Sequence, residues 1–390
     1  MDKIDAIFQS WKSGKNALIY GPPATGKTRL ISALYEALSE PTTSLNEIVL
    51  DSTNLEAPLK RPERDIPIPT PVKTVWTTFH QSYSYEDFVI GLKPTIDGEG
   101  TRLDPWAGVF LDAAIELSAS ESRYKSVVIF IDEINRGNAA RIFGELLTFL
   151  DFDYRDGGTI PLPVPIRHLE FKEDVSQPIF RVDGSMARVP FGFTFPRHIY
   201  IVATMNSVDR AAVPIDSALA RRFNRISLQP DIGVLFDYWQ IEMEDLDSSV
   251  RDKIGGMGPH EVAILVLDRL NAQIAEDFGP EFELGHGLLM SIEPAVPDER
   301  GEVPKTQLDE AWKQLAHAWD EVLFPQLEDR YSSRPEQLLD LLHVDSPAPG
   351  EYAWRPRESL SGHTSRALQQ VEVNALSLET IKRSFRWIAL

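Results

Sequence analysis

One short segment near the start of the chain constrains the fold more than any other feature. The segment matches the pattern G-x-x-x-x-G-K-[ST], and its residues are Gly21, Pro22, Pro23, Ala24, Thr25, Gly26, Lys27 and Thr28. An apolar run at 16–20 precedes it, and an apolar helical face at Leu30, Leu34 and Leu38 follows it. Between a strand and a helix, this pattern presents backbone N–H groups and a helix N-terminus to phosphate oxygens. The segment therefore predicts a nucleotide phosphate-binding loop, in which Lys27 neutralises phosphate charge and Thr28 binds Mg²⁺.

Two adjacent carboxylates follow a strongly apolar run farther along the chain. The run 127–131 predicts a buried strand, and Asp132 and Glu133 come directly after it. A strand that ends in this way can place Asp132 beside Mg²⁺ and Glu133 against a water molecule that attacks the γ-phosphate. Strands that end in solvated acids are common, so the pair gains its meaning from the phosphate loop. Together the two segments predict a site that hydrolyses a nucleoside triphosphate.

Polar residues after a later apolar strand extend this candidate site. The run 199–203 is followed by a polar stretch that contains Asn206, whose amide can hold the attacking water. An asparagine at such a position can also simply begin a loop. Arg221 and Arg222 lie at the end of a short predicted helix, where two cations either face the helix dipole or reach the γ-phosphate of a neighbouring subunit as an arginine finger. The residues themselves leave both interpretations open.

The order of the predicted elements indicates the fold class. Strands alternate with helices in the first part of the chain and give way to a helical pattern, which is typical of a parallel α/β sheet followed by a helical domain. We expect an α/β P-loop NTPase domain at 1–230, a smaller helical lid domain at 231–345 and a C-terminal extension at 346–390. Within the first domain we predict a proline-rich surface insertion at about 41–71 and hairpins at about 156–197.

Composition narrows the class of protein. The 390 residues include 39 basic and 59 acidic ones and carry a formal net charge of −20, which argues against broad electrostatic binding to nucleic acid. Cysteine is absent, which excludes disulfides and thiol chemistry. No apolar run reaches the length of a membrane span, and the first residues lack a signal-peptide pattern. We therefore expect a cytoplasmic protein with no membrane partner.

Several segments together resemble the McrB family of AAA+ NTPases, the motor subunits of 5-methylcytosine-specific restriction systems. They include the Walker B block and the Met-Asn-x-x-Asp signature of that family, and they lie at 79–88, 131–136, 143–146, 205–210, 284–287 and 324–328. The resemblance extends over roughly residues 10 to 345. It implies the AAA+ form of the P-loop fold.

The resemblance also implies a role for each matching residue around the nucleotide. It implies that Lys27 and Thr28 contact the nucleotide and Mg²⁺. It further implies that Asp132 binds the metal ion and that Glu133 activates the attacking water. The substrate of the family is GTP or ATP, and nothing in the residues around the loop distinguishes a guanine from an adenine.

Further roles implied by the resemblance concern the assembly. Asn206 and Asp209 form the signature pair that positions the water, and Arg221 or Arg222 acts in trans. A residue that acts in trans implies a homo-oligomeric ring, which in this family is a hexamer. The resemblance also implies a McrC-like nuclease subunit as the partner, and contact with DNA through the complex rather than through a dedicated domain of this chain.

The chain departs from the family at several positions. The run of three arginines is here Ala220-Arg221-Arg222, so either arginine can be the finger. The family's His-Ser is here His286-Gly287, which removes the hydroxyl. The sequence begins about twenty residues before the phosphate loop, so we expect no methyl-DNA reader domain and target recognition by a partner subunit.

The sequence offers two alternatives to the restriction motor. A MoxR-type chaperone that remodels protein complexes has the same core, and the acidic charge and the expected lack of a reader domain are compatible with it. The segments 79–88 and 205–209 favour the restriction motor over this alternative. A nucleotide switch that does not hydrolyse its ligand is disfavoured by the complete set of Glu133, Asn206 and the two arginines.

Overall fold

The computed structural model describes residues 3–39, 44–45, 64–97, 100–156, 160–169, 178–208, 215–241, 254–343, 355–357, 367–369 and 372–390. These residues divide into two units. The first comprises the described residues within 1–21, 27–50 and 58–228, and the second comprises those within 22–26 and 229–390.

The described residues of the first unit form two larger sheets, one short strand pair and several helices. Its strands are β1 (Asn16–Gly21), β2 (Val72–Thr78), β3 (Ile90–Asp97), β4 (Gly100–Ala107), β5 (Ser126–Asp132), β6 (Ile179–Phe180), β7 (Met186–Ala187), β8 (Ile199–Asn206) and β9 (Phe223–Ser227). Its α-helices are α1 (Lys3–Lys12), α2 (Lys27–Ser39), α3 (Tyr85–Phe88), α4 (Val109–Ser118), α5 (Ala139–Phe143), α6 (Val164–Arg167) and α7 (Ser217–Ala220). Turns of 3₁₀-helix lie at Ile134–Arg136, Gly144–Leu150 and Phe152–Tyr154.

The main sheet is parallel, with the strand order β9-β1-β8-β5-β2. The sequences of the central strands are apolar almost throughout, because helices cover both faces of a parallel sheet. Residues 126–131 of β5 and 199–204 of β8 are accordingly all buried. The predicted parallel sheet flanked by helices is confirmed.

A second sheet of the first unit has the order β3-β4-β6-β7. Its long antiparallel β3–β4 hairpin was not predicted, because Gly91 and Pro94 interrupt the alternation that marks a strand. The short antiparallel pair β6–β7 lies within the insertion predicted at 156–197. In the insertion predicted at 41–71, Ser44–Leu45 pairs with Arg64–Asp65, and residues 46–63 lie outside the described residues.

A buried arginine connects the end of the 3₁₀ segment Gly144–Leu150 to the start of β8. The Arg155 side chain is 3% exposed, and its guanidinium donates to four backbone carbonyl oxygens, those of Phe149 (2.6 Å), Leu150 (3.4 Å), Arg197 (3.1 Å) and Ile199 (2.5 Å). Burial lowers the pKa of Arg155 to about 9, so the side chain is still cationic at neutral pH. The residue therefore satisfies carbonyl groups that no water molecule can reach.

Replacement of Arg155 by alanine is expected to destabilise the protein by on the order of 3 kcal/mol, because several buried carbonyl groups lose their donors at once. The measurement is the free energy of unfolding in urea, followed by circular dichroism. The matched control is Arg188→Ala, because Arg188 is exposed in the same unit and its loss is expected to change stability by less than about 0.5 kcal/mol. Equal stability of the two variants would contradict this assignment.

The second unit is helical. Its α-helices are α8 (Gly233–Trp239), α9 (Pro259–Phe278), α10 (Lys305–Ala318), α11 (Phe324–Arg330), α12 (Pro335–Leu341) and α13 (Leu378–Ile388). Turns of 3₁₀-helix lie at Ile254–Gly256, Pro280–Phe282, His286–Leu289 and Val373–Ala375, and a π-helical turn at Trp319–Leu323 joins α10 to α11. A short strand pair joins Arg355–Arg357 to Ala367–Gln369. The predicted helical region after the α/β sheet is confirmed.

The core of the second unit includes the end of the chain. Phe385 and Ile388 of α13 are fully buried, and the Phe385 ring lies edge-on to that of Trp319 at 5.6 Å between centroids. Lys382 forms an ion pair with Asp309 at 2.9 Å. One face of α13 therefore packs as part of this unit. Among the residues that the structure describes, none of the helices has both the length and the apolarity that crossing a lipid bilayer requires.

Candidate nucleotide site

The predicted site residues of the first unit meet at one edge of the main sheet. Gly21 ends β1, Asp132 ends β5 and Asn206 ends β8, and β8 lies between the other two strands. In parallel α/β sheets, ligands bind in the crevice outside the carboxyl ends of the strands. The strand order thus brings together segments that are far apart in the sequence.

The lysine of the predicted loop is held in place at the start of α2. Lys27 is 6% exposed, and its ammonium group donates to the Gly21 carbonyl at 3.0 Å. Burial lowers the pKa of Lys27 to about 8, although the carboxylates of Glu133 and Asp132 act in the opposite direction. A cation that is already desolvated interacts strongly with an anion that enters the site.

Gly21 itself allows a close approach of two backbone segments. A Cβ atom at this position would lie 2.1 Å from the carbonyl oxygen of Leu228, which follows β9. The Gly21 carbonyl also accepts from the backbone N–H of Ser207 at 3.1 Å. A residue with a side chain would therefore push the ends of β1 and β9 apart.

The middle of the predicted loop, Pro22–Gly26, groups with the second unit. Thr25 is 3% exposed, and its hydroxyl donates to the Pro22 carbonyl at 3.0 Å, which closes the turn. Gly26 has φ of +84°, a left-handed conformation that favours glycine. The second glycine of the sequence pattern thus lies where the backbone of the loop is left-handed.

Oxygen ligands suited to a divalent cation lie close together at the end of β5. The Thr28 hydroxyl donates to the Asp132 carboxylate at 3.3 Å, and the Thr204 hydroxyl donates to the same carboxylate oxygen at 2.5 Å. Hydroxyl and carboxylate oxygens are the ligands that Mg²⁺ takes in phosphate sites. The donor set therefore fits the metal ion predicted from the sequence.

Glu133 is held in a strained conformation beside these groups. Its backbone is left-handed, with φ of +55° and ψ of +50°, and its N–H donates to the Thr204 hydroxyl at 3.1 Å. Strain of this kind costs about 1–3 kcal/mol and is concentrated at functional sites. The Asn206 amide donates to one oxygen of the Glu133 carboxylate at 2.5 Å, and Arg136 lies 3.4 Å from the other.

The surroundings of Glu133 favour a carboxylate that can take up a proton. Burial raises the pKa of Glu133 above its ordinary value, and the nearby Asp132 acts in the same direction. Arg136 and Lys27 lower it. A carboxylate with a raised pKa is a better general base than a fully solvated one.

Two polar contacts of the site were missed by the sequence analysis. Thr204 bridges Asp132 and the Glu133 backbone, and the Asn135 amide donates to the Asn206 carbonyl at 2.9 Å. Both residues belong to segments that were recognised, but hydroxyl and amide side chains at strand ends are too common to single out. Only contacts between neighbouring strands show that Thr204 and Asn135 belong to the candidate site.

The two candidate finger arginines differ in burial. Arg222 is 8% exposed; its guanidinium donates to the Ala218 carbonyl at 2.6 Å and lies 3.1 Å from the Asp151 carboxylate. Arg221 is exposed. Within this unit Arg222 thus has a structural role, whereas Arg221 faces the surroundings. Asp209, the other predicted signature residue, lies outside the described residues.

Comparison with known proteins bears on the fold and on the family likeness of the chain. Residues 69–223 match a family model described as AAA domain (dynein-related subfamily). The Type IV methyl-directed restriction enzyme EcoKMcrB subunit of Escherichia coli is 28% identical over 286 residues, which cover 73% of this chain and 49% of that protein. The chain is similar to McrB, and it contains an AAA domain. The predicted likeness to McrB is thereby confirmed.

A second relative of this McrB-like protein also belongs to a restriction system. The Type II restriction enzyme BsuMI component YdiS of Bacillus subtilis is 25% identical over 234 residues, which cover 54% of this chain and 56% of that protein. The chain spans about half the length of the curated relatives it matches.

Proposed function

We propose that this McrB-like chain hydrolyses GTP or ATP with Mg²⁺ and is the ring-forming motor subunit of a McrBC-like restriction or anti-phage defence complex. The observation that carries the proposal is the grouping of Lys27, Thr28, Asp132, Glu133 and Asn206 at the carboxyl ends of three neighbouring strands. In the proposal, residues 1–230 form the nucleotide-binding domain, 231–345 the lid domain and 346–390 a C-terminal extension, in a cytoplasmic protein.

The geometry supports a separate chemical role for each of these residues. The Lys27 ammonium neutralises charge on the β- and γ-phosphates. The oxygens of Thr28 and Asp132 would hold Mg²⁺, which would polarise the phosphates. Glu133 accepts the proton of the attacking water. Asn206, which donates to Glu133 at 2.5 Å, keeps that carboxylate and the water in line with the γ-phosphate.

The proposal for the assembly starts from the exposed Arg221. An arginine that stabilises the charge of the transferred phosphate must lie at the nucleotide of another subunit if it acts in trans, which requires a homo-oligomer such as a hexameric ring. The names of the two restriction relatives, a subunit and a component, support a second subunit as partner. We propose a McrC-like nuclease, through which the complex acts on DNA.

The proposed function is tested by steady-state hydrolysis of GTP and ATP in parallel, with Mg²⁺ and with Glu133→Gln as the blank. Hydrolysis well above the blank is expected for one or both nucleotides. Preference for GTP supports the methyl-directed restriction motor, and a pull-down that captures a nuclease subunit would extend this. Preference for ATP, with capture of other proteins and no nuclease, would favour the MoxR-type chaperone. Turnover no higher than the blank with both nucleotides would contradict the proposed function.

A further inference from the structure

A glycine-containing segment of the second unit lies directly against the middle of the phosphate loop, which belongs to the same unit. The Gly287 N–H donates to the Ala24 carbonyl at 2.9 Å. A Cβ atom on Gly285 would lie 2.2 Å from the Pro23 oxygen and 2.3 Å from the Ala24 carbonyl carbon, and one on Gly287 would lie 2.8 Å from the Ala24 oxygen. Backbone atoms cannot move aside as a flexible side chain can, so this approach leaves no room for a side chain at Gly285 and little room for one at Gly287.

The segment 284–287 is itself held from the opposite side. Asn271 on α9 accepts from the Leu284 N–H at 2.6 Å and donates to the Leu284 carbonyl at 2.9 Å. The His286 ring nitrogen Nδ1 accepts from the Asp231 N–H at 3.1 Å. Both Asn271 and His286 are nine-tenths buried or more. These bonds hold the segment as a rigid support rather than as a loop that can yield.

The residue that this support contacts has an unfavourable backbone conformation. Ala24 has φ of +59°, in the left-handed region that a residue with a Cβ atom rarely adopts. The direction of the neighbouring N–H groups, which bind phosphate in loops of this pattern, depends on that conformation. The hydrogen bond from Gly287 to the Ala24 carbonyl therefore stabilises the part of the loop where strain is concentrated.

We propose that Gly285, Gly287 and Asn271 are positioning residues that hold Pro23 and Ala24 in the phosphate-binding conformation. These residues thereby influence the nucleotide affinity of the loop without contacting the nucleotide themselves. The proposal rests on the proposed function in one respect, which is that the loop binds a nucleoside triphosphate.

The test compares Gly285→Ala with Gly255→Ala, both in the Glu133→Gln background. Gly255 lies in the same unit and has no atom within 4 Å of an added Cβ, so it is a matched control. Dissociation constants for fluorescent GTP and ATP analogues are measured by titration, and folding is checked by thermal unfolding. Gly285→Ala is expected to weaken binding by about tenfold or more, because misplacement of a binding group by about 1 Å is costly. Gly255→Ala is expected to bind within about twofold of the parent.

A second variant separates loop positioning from a general structural effect. Ala24→Gly can adopt displaced left-handed conformations without strain, so Gly285→Ala is expected to weaken binding less in that background. An equal loss in both backgrounds would overturn the proposal. If Gly285→Ala does not fold, Gly287→Ala replaces it, because its added Cβ meets one carbonyl oxygen at a longer distance.

The remaining outcomes distinguish this proposal from the proposed function. Binding by a folded Gly285→Ala protein that is as tight as that of the parent overturns the positioning role and leaves the proposed function intact. Failure of the folded parent to bind either analogue overturns both.

Discussion

Glu133→Gln is expected to lower nucleotide turnover by about 10²–10⁴-fold, the usual contribution of a positioned general base. Glutamine has nearly the same shape, and its amide oxygen can still accept the hydrogen bond that Asn206 donates at 2.5 Å. It cannot take up a proton from the attacking water. The variant should therefore bind nucleotide as well as the wild type does, so that kcat falls while the dissociation constant is preserved.

The measurement combines phosphate release at saturating nucleotide with equilibrium binding of a fluorescent analogue. Glu121→Gln is the matched control. Glu121 is exposed in the same unit, and its replacement by glutamine removes the same charge. Its turnover should equal that of the wild type. Turnover of Glu133→Gln close to the wild-type value would exclude Glu133 as the base, and loss of binding would show that its role is structural.

Arg221→Ala is expected to cause the second large loss of turnover, about 10³–10⁵-fold if Arg221 is the arginine finger. Arg221 is exposed, whereas Arg222 is engaged by Ala218 and Asp151. Arg222→Ala should instead lower the temperature of unfolding, because the carbonyl of Ala218 loses its donor. Steady-state turnover and thermal unfolding of the two variants distinguish the two roles.

Mixing subunits tests whether Arg221 acts in trans. Arg221→Ala subunits keep Glu133, and Glu133→Gln subunits keep Arg221, so some interfaces of a mixed oligomer combine both intact residues. Hydrolysis by the mixture should exceed the sum of the two separate variants. A mixture that is as inactive as its components, although it forms oligomers, would contradict action across a subunit interface.

The local parts of the site were predictable because each is encoded by a few consecutive residues. A phosphate loop needs glycines, a lysine and a hydroxyl at set spacings between a strand and a helix, and residues 21–28 contain them all. Asp132 and Asn206 follow strands that are apolar throughout, and such strands can be recognised as buried parallel strands. Once these strands are placed side by side, their polar ends must meet.

Other features depend on contacts between segments that are far apart in the sequence. The assignment of Arg222 to a structural role requires the position of Asp151, and the importance of Thr204 requires its contacts with Asp132 and Glu133. The hairpin β3–β4 was missed because its glycine and proline weaken the strand pattern, whereas cross-strand pairing forms it nonetheless.

The sequence by itself thus determined the P-loop fold, the likeness to McrB and which polar groups meet at the carboxyl edge of the main sheet, because short-range spacing and the apolar pattern of strands carry that information. The tertiary structure decided which arginine is buried, how Asn206 and Thr204 hold the two carboxylates, and how closely Gly285 and Gly287 approach the backbone of the loop. Those properties depend on which backbone and side-chain atoms come within about 3 Å of one another, a distance scale that hydrogen bonding sets and that no local pattern specifies.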